Sequence, residues 1–396
     1  MPKPLSAVVA GHICLDILPD LENLAGRNLQ SLLRPGSLVQ IGPAQLMSGG
    51  PVSNTGLALH KLGVPVRLRA KIGADPFGGM LKEIIGARGK GLAAGLRIDP
   101  QATTSYSIII GNRETDRLFL HSPGANDSFG PENVEFAVIR KAALFHFGYP
   151  PELRRMHQAE GRELADVMRS AKAAGATTSL DMSLPDPDTA GGRVDWLPIY
   201  TAVLPYVDLF LPSFDELLFT LRRSEFERLA AQGALPDQAS PALLEDLGAD
   251  LIRLGVRIAV IKLGSRGVYL RTAPGPALRK MGRARPLPSK AWAGRERWMP
   301  CFRVNVVGTT GSGDATIAGF LAALLRRADL AEALTMAVAV GACNVEAADS
   351  LSGLRSWEET RARIAAGWEQ TSLAVDAPGW RWNGRMWIGP LETGSS

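Results

Sequence analysis

Gly311-Ser312-Gly313-Asp314 sets a carboxylate directly after two glycines that flank a serine. With no Cβ at 311 and 313, backbone N–H groups can close around an anion, and the start of a following helix would add partial positive charge. Asp314 at that mouth has two readings. It is an N-cap that satisfies free helix amides, a common use of aspartate. Or it is a general base beside an anion hole, placed to take a proton from a hydroxyl that attacks a phosphoryl group. The tetrapeptide alone does not decide, because matches this short recur by chance.

The flanking pattern shows what must position the turn. Val306-Val307 ahead of it reads as a strand end, and Ala315 to Leu325 carries helical spacing. Ala7–Gly11 is an apolar first strand, with Asp16 just past its carboxyl end, where open α/β sheets bind ligands. Ser48-Gly49-Gly50 leads towards a helix from Thr55 to Leu62, and Asn54 is either a ligand for hydroxyls or an internal cap. Further strands are expected at Leu68–Gly73, Leu144–Gly148, Thr177–Asp181, Val207–Leu211 and Ile258–Leu263, with helices over 158–174 and 330–348. Repeated strand–helix units predict an α/β fold with a parallel sheet covered on both faces.

Two stretches depart from that rhythm. Thr103–Ile110 and Arg117–His121 flank a polar turn over 111–116 and predict a hairpin. With part of 14–46 it would form a small sheet apart from the main one, a lid that excludes water. Residues 271–300 are rich in Pro, Arg and Trp without a period, which reads as a long loop insertion. Trp380, Trp382 and Trp387 in the tail are expected to pack on the domain surface or a partner subunit, and the last four residues to be disordered.

Composition narrows the classes. The chain has 396 residues, 46% of them hydrophobic, enough for one large or two medium domains. Much of the formal charge of +5 lies between Arg271 and Arg303. No zinc-finger spacing and no arginine-rich reading helix accompanies it, so nucleic acid is not expected, whereas an anionic small molecule fits. Cys14, Cys301 and Cys343 are scattered and odd in number, which argues against a disulfide framework or thiolate zinc site and for a reducing cytoplasm. No apolar run approaches membrane-spanning length. There is no Walker loop, and the five histidines show no metal-ligand spacing.

Gly49-Gly50 with Asn54, the Gly-x-x-Asp-x-x-Gly stretch around Gly73 to Gly78, and Gly311–Asp314 occur together in this order. The combination resembles the PfkB carbohydrate kinases, of ribokinase-like fold, from about Ala7 to Glu359. The resemblance implies a three-layer α/β/α domain over 1–370 with lid segments at about 14–46 and 97–122, and phosphate transfer from ATP to a sugar hydroxyl. Position by position it implies Asp314 as base, and Gly311, Ser312 and Gly313 as the anion hole. It implies Asp16, Gly49, Gly50, Asn54, His121 and Asn126 around the sugar. Gly264, Ser265 and Gly267, with Thr309 and Asn344, fall on the nucleotide, and Glu216 and Asp181 on Mg²⁺.

The chain departs from the family pattern at three places. Gly308 stands where an Asp tied to a monovalent cation is often found, which speaks against potassium activation. Ser213 replaces the Asn of the motif that ends in Glu216. Pro51 replaces the Lys of ribokinase's Gly-Gly-Lys, which speaks against assuming ribose. A nucleoside kinase of the same fold and a silent sugar- or nucleotide-binding protein stay open as alternatives. Dimerisation through the lid would cover its sheet edges.

Overall fold

The computed structural model describes residues 4–24, 35–110 and 118–392. The expected hairpin turn at 111–116 and the last four residues lie outside these. Fifteen strands form two sheets among the described residues. They are β1 Ala7–Gly11, β2 Cys14–Pro19, β3 Ala44–Gly49, β4 Val66–Gly73, β5 Leu96–Asp99, β6 Tyr106–Ile110, β7 Leu118–Ser122 and β8 Leu144–Gly148. After them come β9 Thr177–Leu180, β10 Leu209–Phe210, β11 Ile258–Lys262, β12 Val268–Thr272, β13 Glu296–Met299, β14 Arg381–Trp382 and β15 Trp387–Ile388. The larger sheet runs β14-β15-β13-β12-β11-β10-β9-β8-β1-β4-β5. It is parallel from β5 to β11, and β12, β13, β15 and β14 add to it antiparallel.

Helices cover both faces. α1 Pro51–Lys61 and α2 Pro76–Arg88 lie on one side, α3 Arg162–Ala173, α4 Phe214–Leu221 and α5 Pro241–Arg253 on the other, and α6 Ser312–Leu325, α7 Leu330–Asn344 and α8 Trp357–Ala365 return to the first. β1 shows why two cores form: Ala7 and Val9 point into one, Val8 and Ala10 into the other, as alternation along a strand requires. α6 and α7 are apolar nearly all round because they pack on each other as well as on the sheet.

The small sheet, β3-β2-β6-β7, starts two residues after β1 and stands over the carboxyl ends of the parallel strands. Leu96–Asp99 does not belong to it. It pairs in parallel with β4 at the edge of the large sheet, so residues 97–99 leave the expected lid segment.

Four other expectations need correction. α1 begins at Pro51 rather than Thr55, because proline at the first helical position is already set for the helix. Val306 and Val307 form no strand: they are 59% and 49% exposed, along a surface stretch ahead of α6. Residues 271–300 are no loop insertion. They hold the end of β12, two short helical turns and β13, with Trp292 and Trp298 fully buried. The missing period reflects pieces of four or five residues buried on several sides. The domain does not end at 370, since β15 of the tail pairs with β13, while Trp380 packs on Tyr269 and Trp298 of the domain as expected.

Candidate active site

The strand order reverses between β1 and β8, and a ligand crevice is expected at the carboxyl ends there. His12 follows β1 and Tyr149 follows β8; their rings stack with centroids 6.1 Å apart. Asp181 follows β9, Ser213 and Glu216 follow β10, and Lys262 closes β11. The glycine turn enters the same edge from the other side.

Asp314 sits in the first turn of α6 and is 2% exposed. Its Oδ1 accepts from Thr55 Oγ1 at 2.8 Å, and its Oδ2 from Asn54 Nδ2 at 3.1 Å and Tyr149 Oη at 3.0 Å. Ser350 Oγ donates to Asn54 Oδ1 at 2.9 Å, which orients the amide. Burial pushes the Asp314 carboxyl above the ordinary aspartate value, and the donors and Lys262 pull part of the way back. A carboxylate so placed is oriented by three donors, two from α1 and one from the β8 end, and keeps raised proton affinity, which suits a base. It is not the N-cap of α6. That position is Gly311, in the left-handed region at φ 73° with Ser350 against it.

Two cavities meet at this carboxylate. One, about 740 Å³, lies under the small sheet and is lined by Asp16, Gly50, Asn54, His121, Thr310 and Asp314 among others. The other, about 680 Å³, is lined by Gly264, Ser265, Gly267, Thr309, Ser312 and Gly313, with Val338, Ala342 and Val345 as an apolar wall. Gly311, Glu216, Tyr149 and Asp314 border both. First-turn helix N–H groups have no intrahelical acceptor; that of Ser312 bonds Thr309 O at 3.2 Å, and the turn faces the junction.

In the first cavity, Cys14 Sγ donates to Asp16 Oδ1 at 3.2 Å, and Ser107 Oγ lies 2.9 Å from His121 Nδ1. His121 and His12 meet at 3.4 Å between their Nε2 atoms, a pairing that residue spacing did not reveal. Burial lowers both imidazoles, so near neutral pH they are uncharged. Glycine is required at 50, where φ is 81° and a Cβ would lie 2.6 Å from His12 Nδ1. Gly49 stays behind the wall, and a Cβ there would lie 2.2 Å from Asp16 Oδ2.

Besides Gly49, three expected site residues are not brought to a cavity. Asn126 is fully buried and clamps the backbone of Ile13, donating to its O at 2.9 Å and accepting from its N at 3.4 Å. Asn344, also fully buried, donates to Ser350 O at 2.7 Å and so ties down the loop that orients Asn54. Asp181 is 1% exposed and taken by Lys262 Nζ at 2.7 Å. Conversely, Thr55, Tyr149, Ser350 and Lys262 belong to the site and were not expected there. For Lys262 a signal existed, as a charge ending the apolar run Ile258–Ile261. Ser213 caps α4, its Oγ accepting from Glu216 N at 3.2 Å while Glu216 Oε2 accepts from Ser213 N at 2.6 Å.

A carboxylate shared by two cavities, beside free helix amides and under a small β lid, is the arrangement of an enzyme that joins two substrates by group transfer. The family model described as pfkB family carbohydrate kinase matches residues 6–356, and the chain belongs to that family. It is therefore a phosphotransferase acting on a hydroxyl of a sugar or nucleoside. Fructokinase-2 of Oryza sativa is 26% identical over 81% of this chain and 80% of its own length. Aminoimidazole riboside kinase of Salmonella typhimurium is 27% identical over 77% and 84%. Arabidopsis thaliana ribokinase complexed with ribose and ATP shares the fold, with a TM-score of 0.64 at 18% identity over 91% of this chain and 98% of that one. Among the described residues no helix is long and apolar enough to cross a membrane.

Proposed function

We propose that the chain phosphorylates a small sugar with ATP, Asp314 taking the proton of the acceptor hydroxyl. The observation that carries this is Asp314 itself, buried at the border of two cavities and held by donors from α1 and the β8 end. The nucleotide occupies the second cavity, its base against Val338, Ala342 and Val345 and its γ-phosphate at the turn of 311–313. The sugar lies under the lid against Asp16, Asn54 and His121. The turn's amides stabilise charge on the phosphoryl oxygens during in-line transfer, and the lid keeps water from competing.

Mg²⁺ would neutralise charge on the β- and γ-phosphate oxygens. Glu216, a hard oxygen donor at the border of the cavities, fits that role through water. Asp181 does not, because it lines neither cavity and its Oδ1 is bound to an ammonium.

A riboside acceptor is the second reading, favoured by Phe119, a lid ring that borders the sugar cavity and offers a face to a base. Tyr106 gives no such platform; it packs on Phe77 with centroids 5.3 Å apart. We include a lid-to-lid homodimer in the proposal. β3 and β7 are sheet edges, and Leu46, Leu118 and Leu120 are 42–48% exposed. Light scattering that gives a monomer mass would remove it.

ATP consumption with Mg²⁺ across pentoses, hexoses, sugar acids, sugar phosphates and nucleosides is the test. The expected result is turnover on one class that falls about 10²-fold or more in Asp314→Asn. A variant that turns over normally would overturn the role of the base.

A further inference from the structure

Lys262 ends β11 after the apolar run Ile258–Ile261 and pairs with Ser213 at the strand's carboxyl end. Its Nζ lies 2.7 Å from Asp181 Oδ1 and 3.8 Å from Glu216 Oε2, and the side chain is 11% exposed. It forms part of the nucleotide cavity wall. It also lies directly against the glycine turn: a Cβ at Gly313 would be 3.5 Å from Lys262 Cε and 3.7 Å from Nζ. Lys262 is thus placed by protein carboxylates rather than by solvent, and open to one cavity at the point where the glycine turn begins.

A purely structural part explains this badly. A buried ion pair contributes little net stability over apolar residues of similar volume, and an aliphatic residue would continue Ile258–Ile261. Asp181 Oδ2 is also buried with no hydrogen-bond partner, a cost the pair does not remove. Both features follow if the lysine is held for a ligand.

We propose that Lys262 is a catalytic residue whose ammonium contacts the phosphoryl group in transit, with Asp181 as the positioning residue that holds it under the turn. This rests on the kinase reading above. In the step, the bond from the acceptor oxygen to the γ-phosphorus forms as the bond to the β,γ-bridging oxygen breaks. The electron pair leaves with ADP and the hydroxyl proton goes to Asp314. Lys262 keeps all its protons and supplies only fixed charge.

The test uses the full chain with Lys262→Met, Lys262→Arg and the double variant Lys262→Met/Asp181→Asn, which leaves no uncompensated carboxylate at 181. Calorimetry measures binding of ADP and of the non-hydrolysable analogue AMP-PNP, both with Mg²⁺, and turnover is measured on the accepted sugar. Lys262→Met and the double variant should cut kcat by about 10²-fold or more, as for loss of one donor to a charged transition state. They should shrink the preference for AMP-PNP over ADP by about tenfold and leave ADP affinity nearly unchanged; Lys262→Arg should recover part of both. A double variant that folds and keeps wild-type kcat and nucleotide preference would overturn the proposal. If the wild type consumes no ATP with any acceptor, the kinase reading fails, while nucleotide preference still decides whether Lys262 contacts the terminal phosphate.

Discussion

Asp16→Asn should stabilise the protein and weaken its substrate binding. Asp16 lies on β2 and is 8% exposed, with Gly49 packed on its carboxylate; it has no lysine or arginine partner among the described residues. Burial pushes its carboxyl from 3.8 to about 6, against the smaller pull of hydrogen bonds from Cys14 and Ser107. The folded state therefore holds this proton more tightly than the unfolded chain. Stability falls as pH rises from about 4 to about 6 and stays lower above that. At 1.36 kcal/mol per pH unit, the full penalty is about 3 kcal/mol, of which about 2 kcal/mol accrues between pH 4.5 and 7.5. With an unfolding entropy near 2.1 cal/mol/K per residue, that corresponds to about 2 °C in Tm for a chain of this length.

The assay is the Tm of variant minus wild type, by calorimetry from pH 4.5 to 7.5. Any packing difference between Asn and Asp is constant with pH and cancels from the slope. The difference should grow by about 2 °C across the range, while the KM for the accepted sugar rises because a charged acceptor is lost. A Tm difference that stays flat with pH would refute the argument that burial strains this carboxylate.

Thr55→Val removes one hydrogen bond that lowers the Asp314 pKa. The acid limb of kcat/KM, where the base becomes protonated, should move to higher pH, with a smaller loss of kcat than in Asp314→Asn; an unmoved limb would separate Thr55 from the base. Trp292→Ala should cost about 3–5 kcal/mol in denaturant unfolding with kcat unchanged, since the side chain is 1% exposed. In a surface loop the same change would stay within about 0.5 kcal/mol.

The difference between what the chain discloses and what it conceals follows from how each residue acts. The buried strands announce themselves as apolar runs, and the turn at 311–314 announces itself because small residues and a carboxylate must be contiguous to shape an anion site. Thr55 and Tyr149 are invisible by the same logic. Each reaches Asp314 across 259 or 165 residues, and nothing beside either in sequence marks it. Asn126 and Asn344 show the opposite error. Their place near motif positions suggested ligands, yet Asn126 spends both ends of its amide on the Ile13 backbone, and the Asn344 NH2 goes to Ser350 O while its Oδ1 is buried without a hydrogen-bond partner. Residues 271–300 misled because their helical turns and strand are four residues long, too short to show a period around two core tryptophans spaced six apart. Lys262 is the most instructive, because it was legible. A lysine that closes a fully apolar parallel strand carries its charge to the carboxyl edge, where such folds bind ligands. Burial there is tolerable only beside carboxylates, which the structure supplies in Asp181 and Glu216.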